Sequence, residues 1–298
     1  MRSAAWELAG RTAFITGAAQ GIGFETGRRL AARGMNVALV DLDEDQAQRA
    51  AGQLGAGRAI GLAADVTDRS ALDAAVAATV ERFGGIDVSI PNAGVSGQLT
   101  TVLGSDPAVA ERTIEVDLLG VYRTVRATLP HVVERRGYVL PVASLYAYFH
   151  PVLAAPYAMS KAGVEQLGRA LRAELAFHGA SAGVAYFGFI DTQMVRDVFT
   201  PDSAAVTIRS ALPGWLGKVV PVGRAADAMA RGVERRAPRV TAPRWLPAAS
   251  ALRGLLALVD DQVMRNEQIQ GAVARAEASP EGPQPPGAVD APQELVAD

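Results

Sequence analysis

The chain has 298 residues, a hydrophobic fraction of 49% and a formal net charge of -2. That is ample for a buried core, and at this length an α/β fold still forms a single unit. The near balance of charge, without an extended basic run, gives no electrostatic footing for nucleic acid, and the absence of cysteine excludes disulfides and thiol catalysis.

In chain order, residues 13–16 are a short apolar strand that runs into Thr16-Gly17-Ala18-Ala19-Gln20-Gly21-Ile22-Gly23, and a helix follows over 24–33. Residues 35–41 form a second strand ending in Asp41, and Asp43 caps a helix over 44–54. A third strand covers 59–64 and ends at Asp65-Val66; Asp68 then opens a helix to about residue 83. The fourth strand, 86–90, closes on Pro91-Asn92-Ala93-Gly94, and a long helix follows over 107–133. The fifth strand, 138–143, ends at Ser144; 155–178 is helical and 182–187 is the sixth strand. Apolar strands alternating with helices predict an α/β fold with a doubly wound parallel sheet covered on both faces.

Beyond the sixth strand the pattern loosens. Residues 190–221 read as a mobile lid, 223–236 as a helix and 239–241 as a last short strand. Residues 248–276 carry Leu252, Leu255, Leu256, Val259 and Val263 at helical spacing, an amphipathic extension spanning about 243–278. From 279 to 298, Pro, Gly, Ala and acidic residues predict a disordered tail. There is no apolar leader in the first ten residues and no long apolar window, so a soluble cytoplasmic protein without a membrane span is expected. His131, His150 and His178 are scattered without metal-ligand spacing, and no metal is expected.

Ligands of such sheets sit beyond the carboxyl ends of the strands, where the glycine turn, Asp41, Asp65, Asn92 and Ser144 all fall. A strand, a glycine turn and a helix together aim unpaired N–H groups and a helix dipole at an anion. Tyr157 and Lys161 lie four apart on one helix face. A phenol is a weak base at neutral pH, and an ammonium one turn away is expected to lower its pKa. Ser144 stands at a strand end, able to hydrogen-bond a substrate oxygen beside that phenol.

In this order and spacing, Thr16-Gly17-x-x-x-Gly21-Ile22-Gly23, Asp65-Val66, Asn92-Ala93-Gly94, Ser144 and Tyr157-x-x-x-Lys161 resemble the classical short-chain dehydrogenase/reductase family, over roughly residues 8–242. The resemblance implies a single Rossmann-type domain binding a nicotinamide cofactor on Gly17, Gln20, Gly21, Ile22 and Gly23. It implies Tyr157 as acid/base, Lys161 as the group that lowers its pKa and holds the nicotinamide ribose, and Ser144 as the residue polarising the carbonyl. Asp65 and Val66 are then expected in the adenine pocket, with Asn92, Ala93 and Gly94 supporting cofactor and sheet. After the sixth strand the family has Pro-Gly where this chain has Phe187-Gly188. Gly188 and Thr192 keep their places, so the turn and a nicotinamide contact from Gly188, Ile190 and Thr192 remain expected.

Asp41 ends the second strand without a nearby Arg or Lys, which favours a free ribose 2′-OH over a 2′-phosphate: NAD(H) rather than NADP(H). Asp117 stands where the family has an Asn that helps hold a water linked to the lysine. An ionised Asp117 near Lys161 favours the charged lysine and alters the proton relay. The roles of Tyr146, Tyr148, His150, Phe199 and Trp215 stay open between substrate contact and packing. The expected activity is interconversion of an apolar secondary alcohol and its ketone, in a homodimer or homotetramer. The rivals are an NAD(H)-binding sensor or scaffold without turnover, and an epimerase or dehydratase that retains its cofactor.

Overall fold

The computed structural model describes residues 6–55, 57–149, 152–199, 203–211, 214, 217–243, 245–256 and 264–278. Strand β1 (Thr12–Thr16) is buried along its whole length, as a strand covered on both faces must be. It leads through the glycine turn into α1 (Gly21–Ala31). β2 (Asn36–Asp41), α2 (Glu44–Gly52), β3 (Ala59–Ala63), α3 (Arg69–Phe83) and β4 (Val88–Ile90) follow. The side chains of Asp43 and Asp68 accept from first-turn N–H groups of α2 and α3, as expected of caps.

The long helix expected next is interrupted. α4 (Pro107–Ile114) and α5 (Val121–Glu134) are joined by a π-helical turn, Glu115–Gly120. The fifth strand is also shorter than expected, β5 being Tyr138–Val139, because Pro141 has no N–H to continue the ladder. A 3₁₀ turn (Leu145–Ala147) and α6 (Ala155–Ala176) follow. The sixth strand is split. β6 (Ser181–Ala182) pairs with β5, and β7 (Val184–Phe187) pairs with β10 (Arg239–Ala242).

The main sheet has the order β3-β2-β1-β4-β5-β6, with every pairing parallel. Alternate residues feed two cores. Ile15, Val37 and Leu39 pack with Leu30, Met229 and Val233 on one face; Phe14, Ala38 and Val40 pack with Val76, Val125 and Leu171 on the other. This is the doubly wound Rossmann-type sheet that the sequence predicts.

Between β8 (Ile190–Asp191) and β9 (Val220–Pro221), which pair with each other, the chain makes an excursion carrying α7 (Gln193–Val198) and α8 (Ala204–Ala211). α9 (Val222–Arg235) then packs on α1. The single helix expected over 248–276 is instead α10 (Leu246–Ala251), α11 (Arg253–Leu256) and a separate α12 (Glu267–Ala278). Asn266 starts α12 by accepting from the N–H groups of Gln268 and Ile269. The expected tail lies outside the described residues, as do Val259 and Val263. No helix among the described residues is long and apolar enough to cross a membrane.

Candidate active site

The glycine turn is held open by backbone geometry. Gly17 has φ +61, and a Cβ there would stand 2.6 Å from Ala93 Cα. A Cβ on Gly23 would press into Gly17 O and stand 2.7 Å from Asn92 Nδ2. Side chains are thus excluded on both sides of the turn. Gln20, at the N-cap of α1, makes no side-chain hydrogen bond, unlike the capping acids of α2, α3 and α4. The first-turn N–H groups at Gly21, Ile22 and Gly23 therefore have no side-chain acceptor, which is the condition for holding an anion.

The expected cofactor residues gather around this turn. Asp41 accepts from Ala19 N–H at 2.9 Å and from Leu42 N–H at 2.8 Å. Asn92 donates from Nδ2 to Thr16 O (3.0 Å) and Gly17 O (2.8 Å), while its own N–H reaches Thr16 Oγ1. Ala93 N–H reaches the same hydroxyl, so the ends of β1 and β4 are sewn together. Asp65 is held by the N–H and hydroxyl of Thr67 and by Arg112 at 3.2 Å. Burial opposes its charge, yet those partners keep its carboxyl below the ordinary range. Val66 is buried against Gly120. Thr192 caps α7 and stands where a Cβ added to Gly21 would meet its Cγ2 at 3.7 Å, Gly188 donates to Ala242 O, and Ile190 is buried in β8.

Ser144, Tyr157, Lys161 and Asp117 form one cluster. Lys161 is buried, with Nζ 5.3 Å from the centre of the Tyr157 ring and 3.4 Å from Val142 O, to which it donates. Its carboxylate neighbour is Asp117, fully buried, with Oδ2 at 3.0 Å. The attraction of the two charges is the larger part of that contact, with a hydrogen bond between them as the smaller. The other oxygen, Oδ1, accepts from Val95 N–H at 2.7 Å. The π-helical turn places Asp117 here, a local distortion of the kind found at functional sites.

Lys161 lowers the proton affinity of Tyr157 as expected, but burial and Asp117 outweigh it. Burial pushes the Tyr157 phenol up; Lys161 pulls it down, Asp117 pushes it up again, and a hydrogen bond with Ser144 favours the ionised form. The net direction is upward, because Asp117 cancels part of the lysine's field and the ring is desolvated. Burial also raises Asp117 despite Lys161 and Val95, while Asp117 holds Lys161 up despite burial.

Above the cluster opens a cavity of about 120 Å³. Ser144 and Tyr157 lie on it, beside Ser96, Leu99 and the backbone turn 152–154. Phe187, Gly188 and Phe189 form one wall; Met194, Val195, Val198, Phe199, Ala205, Ile208 and Arg209 come from the excursion. Phe187 is thus a buried wall residue. Tyr146 also lines the cavity, its ring edge-on to Tyr157 at 6.1 Å, and burial pushes its phenol up to about 12. Tyr148 packs against Phe149 and Tyr186 and is not among the lining residues. His150 and Trp215 lie outside the described residues. Sequence reasoning missed Arg209 and Leu153, the latter at φ +69 beside the cavity; neither sits in a motif, and only the fold brings them here.

Residues 11–203 match the family model for the short chain dehydrogenases. The chain belongs to that family. This short-chain dehydrogenase is 33% identical over 230 residues to a 3beta-hydroxysteroid dehydrogenase 1 of Eggerthella lenta, covering 74% of this chain and 86% of that one. It is 32% identical over 226 residues to a cis-4-hydroxycyclohexanecarboxylate dehydrogenase of Sinomonas cyclohexanicum, covering 75% and 89%. The solved structure of a 3-ketoacyl-(acyl-carrier-protein) reductase from Brucella melitensis, complexed with NADH, superposes with a TM-score of 0.69 at 28% identity, over 79% of this chain and 97% of that one. Short-chain dehydrogenases are oxidoreductases that bind a nicotinamide cofactor. The bare turn at Gly17 and Gly23, which a single Cβ would fill, fits that group.

Proposed function

We propose that this short-chain dehydrogenase is an NAD(H)-dependent oxidoreductase interconverting an apolar secondary alcohol and its ketone, with Tyr157, Ser144 and Lys161 as its catalytic residues. The observation that carries the reading is the joint placement of Ser144 and Tyr157 on one apolar cavity, with the Lys161 ammonium packed against the Tyr157 ring. In oxidation the Tyr157 oxygen accepts the proton of the substrate hydroxyl, and in reduction it returns one to the carbonyl oxygen. Ser144 donates a hydrogen bond to that oxygen, and the Lys161 charge favours the phenolate. When bound, the nicotinamide supplies the two-electron acceptor or donor. Gly17, Gly21, Ile22 and Gly23 would hold its pyrophosphate, Asp41 the adenosine ribose, Asp65 and Val66 the adenine, and Lys161 and Thr192 the nicotinamide half.

The relatives named as hydroxysteroid and hydroxycyclohexanecarboxylate dehydrogenases support an alicyclic alcohol as substrate. Leu119, Tyr122 and Met159 leave large apolar side chains exposed on or beside α5 and α6, which supports assembly of two or four copies through those helices. The rival reading, a nucleotide-binding sensor, draws on the raised Tyr157 phenol and on the Asp117 charge that offsets Lys161. A screen of secondary alcohols with NAD+, followed by absorbance of the reduced cofactor, decides between them. Turnover that falls by roughly three orders of magnitude or more in Tyr157→Phe, with cofactor affinity kept, is the expected outcome. Cofactor binding with no turnover of any alcohol or ketone supports the sensor instead.

A further inference from the structure

The cavity beside Tyr157 is lined by carbon, hydroxyl and backbone groups, with one exception among its described lining residues: Arg209 on α8. Its guanidinium carbon sits 4.3 Å over the Phe199 ring. Arg196, on the neighbouring α7, is paired with Asp191 at 2.6 Å, whereas Arg209 has no carboxylate partner among the described residues. Stacking on a ring occupies the face of a guanidinium and leaves its edge donors free, in the fork geometry that matches a carboxylate. Edge-on ring pairs run from Tyr157 to Phe199 among the lining residues. Tyr157 meets Tyr146 at 6.1 Å, Tyr146 meets Phe189 at 6.3 Å, and Phe189 meets Phe199 at 5.2 Å, beneath Arg209. A phenol and a guanidinium are thus joined by one run of aromatic contacts.

We propose that Arg209 is the anion-binding group of this cavity, and that the substrate is an apolar ketone or secondary alcohol bearing a carboxylate at the end remote from its reacting carbon. The inference rests on the oxidoreductase reading for the reacting end and on Arg209 alone for the other. A partly enclosed apolar surround strengthens the charge-assisted fork relative to water and rewards a body that lies along the rings.

Three ketones of one shape test it: para-acetylbenzoate, its methyl ester and para-methylacetophenone. Each is titrated calorimetrically into the full-length protein with NAD+ present, which cannot reduce it, and each is separately assayed for oxidation of NADH. The expected result is binding of the benzoate roughly 10- to 100-fold tighter than either neutral ketone. Arg209→Met removes that gap, and Arg209→Lys keeps part of it. No gap in the unaltered protein, a gap that survives Arg209→Met, or no binding of the benzoate overturns the proposal. Arg209-dependent binding without NADH oxidation by any ketone leaves the anion site standing and removes the oxidoreductase reading. NADH oxidation indifferent to the carboxylate does the reverse.

Discussion

Asp117 acts on the proton affinity of two neighbours at once: its charge holds the Lys161 ammonium up and pushes the Tyr157 phenol up. Asp117→Asn keeps an oxygen for the Val95 N–H and removes only the charge. Both upward pushes disappear, so both groups lose their protons at lower pH. Alcohol oxidation needs the phenolate, so kcat/KM rises as pH passes the Tyr157 pKa, and that rise moves to lower pH in the variant. The alkaline limit set by loss of the Lys161 charge moves the same way. Superimposable pH profiles for the two proteins would remove Asp117 from the relay. Tyr157, Lys161 and Ser144 were legible because their spacing has a chemical reason that shows in the chain. The departure at Asp117 was visible too, but its direct contact with Lys161 was not. A π-helical turn sets that contact, and nothing in the apolar periodicity of 107–133 announces one.

The elements that were read correctly are those whose environment repeats along the chain. β1, β2 and β4 are buried on both faces and appear as mainly apolar runs, the edge strand β3 is apolar though only half-buried, and Asp43 and Asp68 mark helix starts by a local hydrogen bond. The misread elements depend on single residues or on distant neighbours. Pro141 cuts β5 short, a change of partner from β5 to β10 divides the sixth strand, and Asn266 starts a new helix inside an apolar pattern that otherwise looks continuous. That last helix, α12, packs on α8. Arg275 donates to Thr207 Oγ1 at 3.2 Å, and Glu277 accepts from Thr101 at 2.8 Å, so α12 braces the segment that carries Ile208 and Arg209 into the cavity. Ending the chain before Glu267 forfeits this packing and two hydrogen bonds while leaving the sheet and the Tyr157 cluster intact. KM for the substrate is expected to rise roughly five- to thirtyfold, with kcat within about twofold of the full chain, on the basis of about 1 kcal/mol for each of one or both lost bonds. Steady-state kinetics check it, and an unchanged KM would show that α8 holds its place without α12.

At the scale of the whole molecule, the strand order reverses direction between β1 and β4, and the crevice outside that point is where an open parallel sheet takes its ligand. The alternation of strands and helices made this arrangement readable. The cavity was not readable, because its walls come from residues 96–209, far apart in sequence and united only by the fold. A ligand seated across the crevice touches the ends of several strands and binds only the folded chain, so its affinity appears directly as stability. At a concentration 100 times its Kd, NAD+ is expected to add about 2.7 kcal/mol, which for a chain of this size is a rise in Tm of roughly 4 °C. At the same concentration NADP+ is expected to raise Tm less. In the proposed binding mode its 2′-phosphate approaches the Asp41 carboxylate, whose oxygens are already oriented by Ala19 and Leu42 N–H groups. Asp41→Asn removes the repulsion while keeping an acceptor, and narrows the difference between the two cofactors. Equal shifts for both in the unaltered protein would remove Asp41 as the selecting residue, while the proposal that Gly17 and Gly23 hold the pyrophosphate common to both would be untouched.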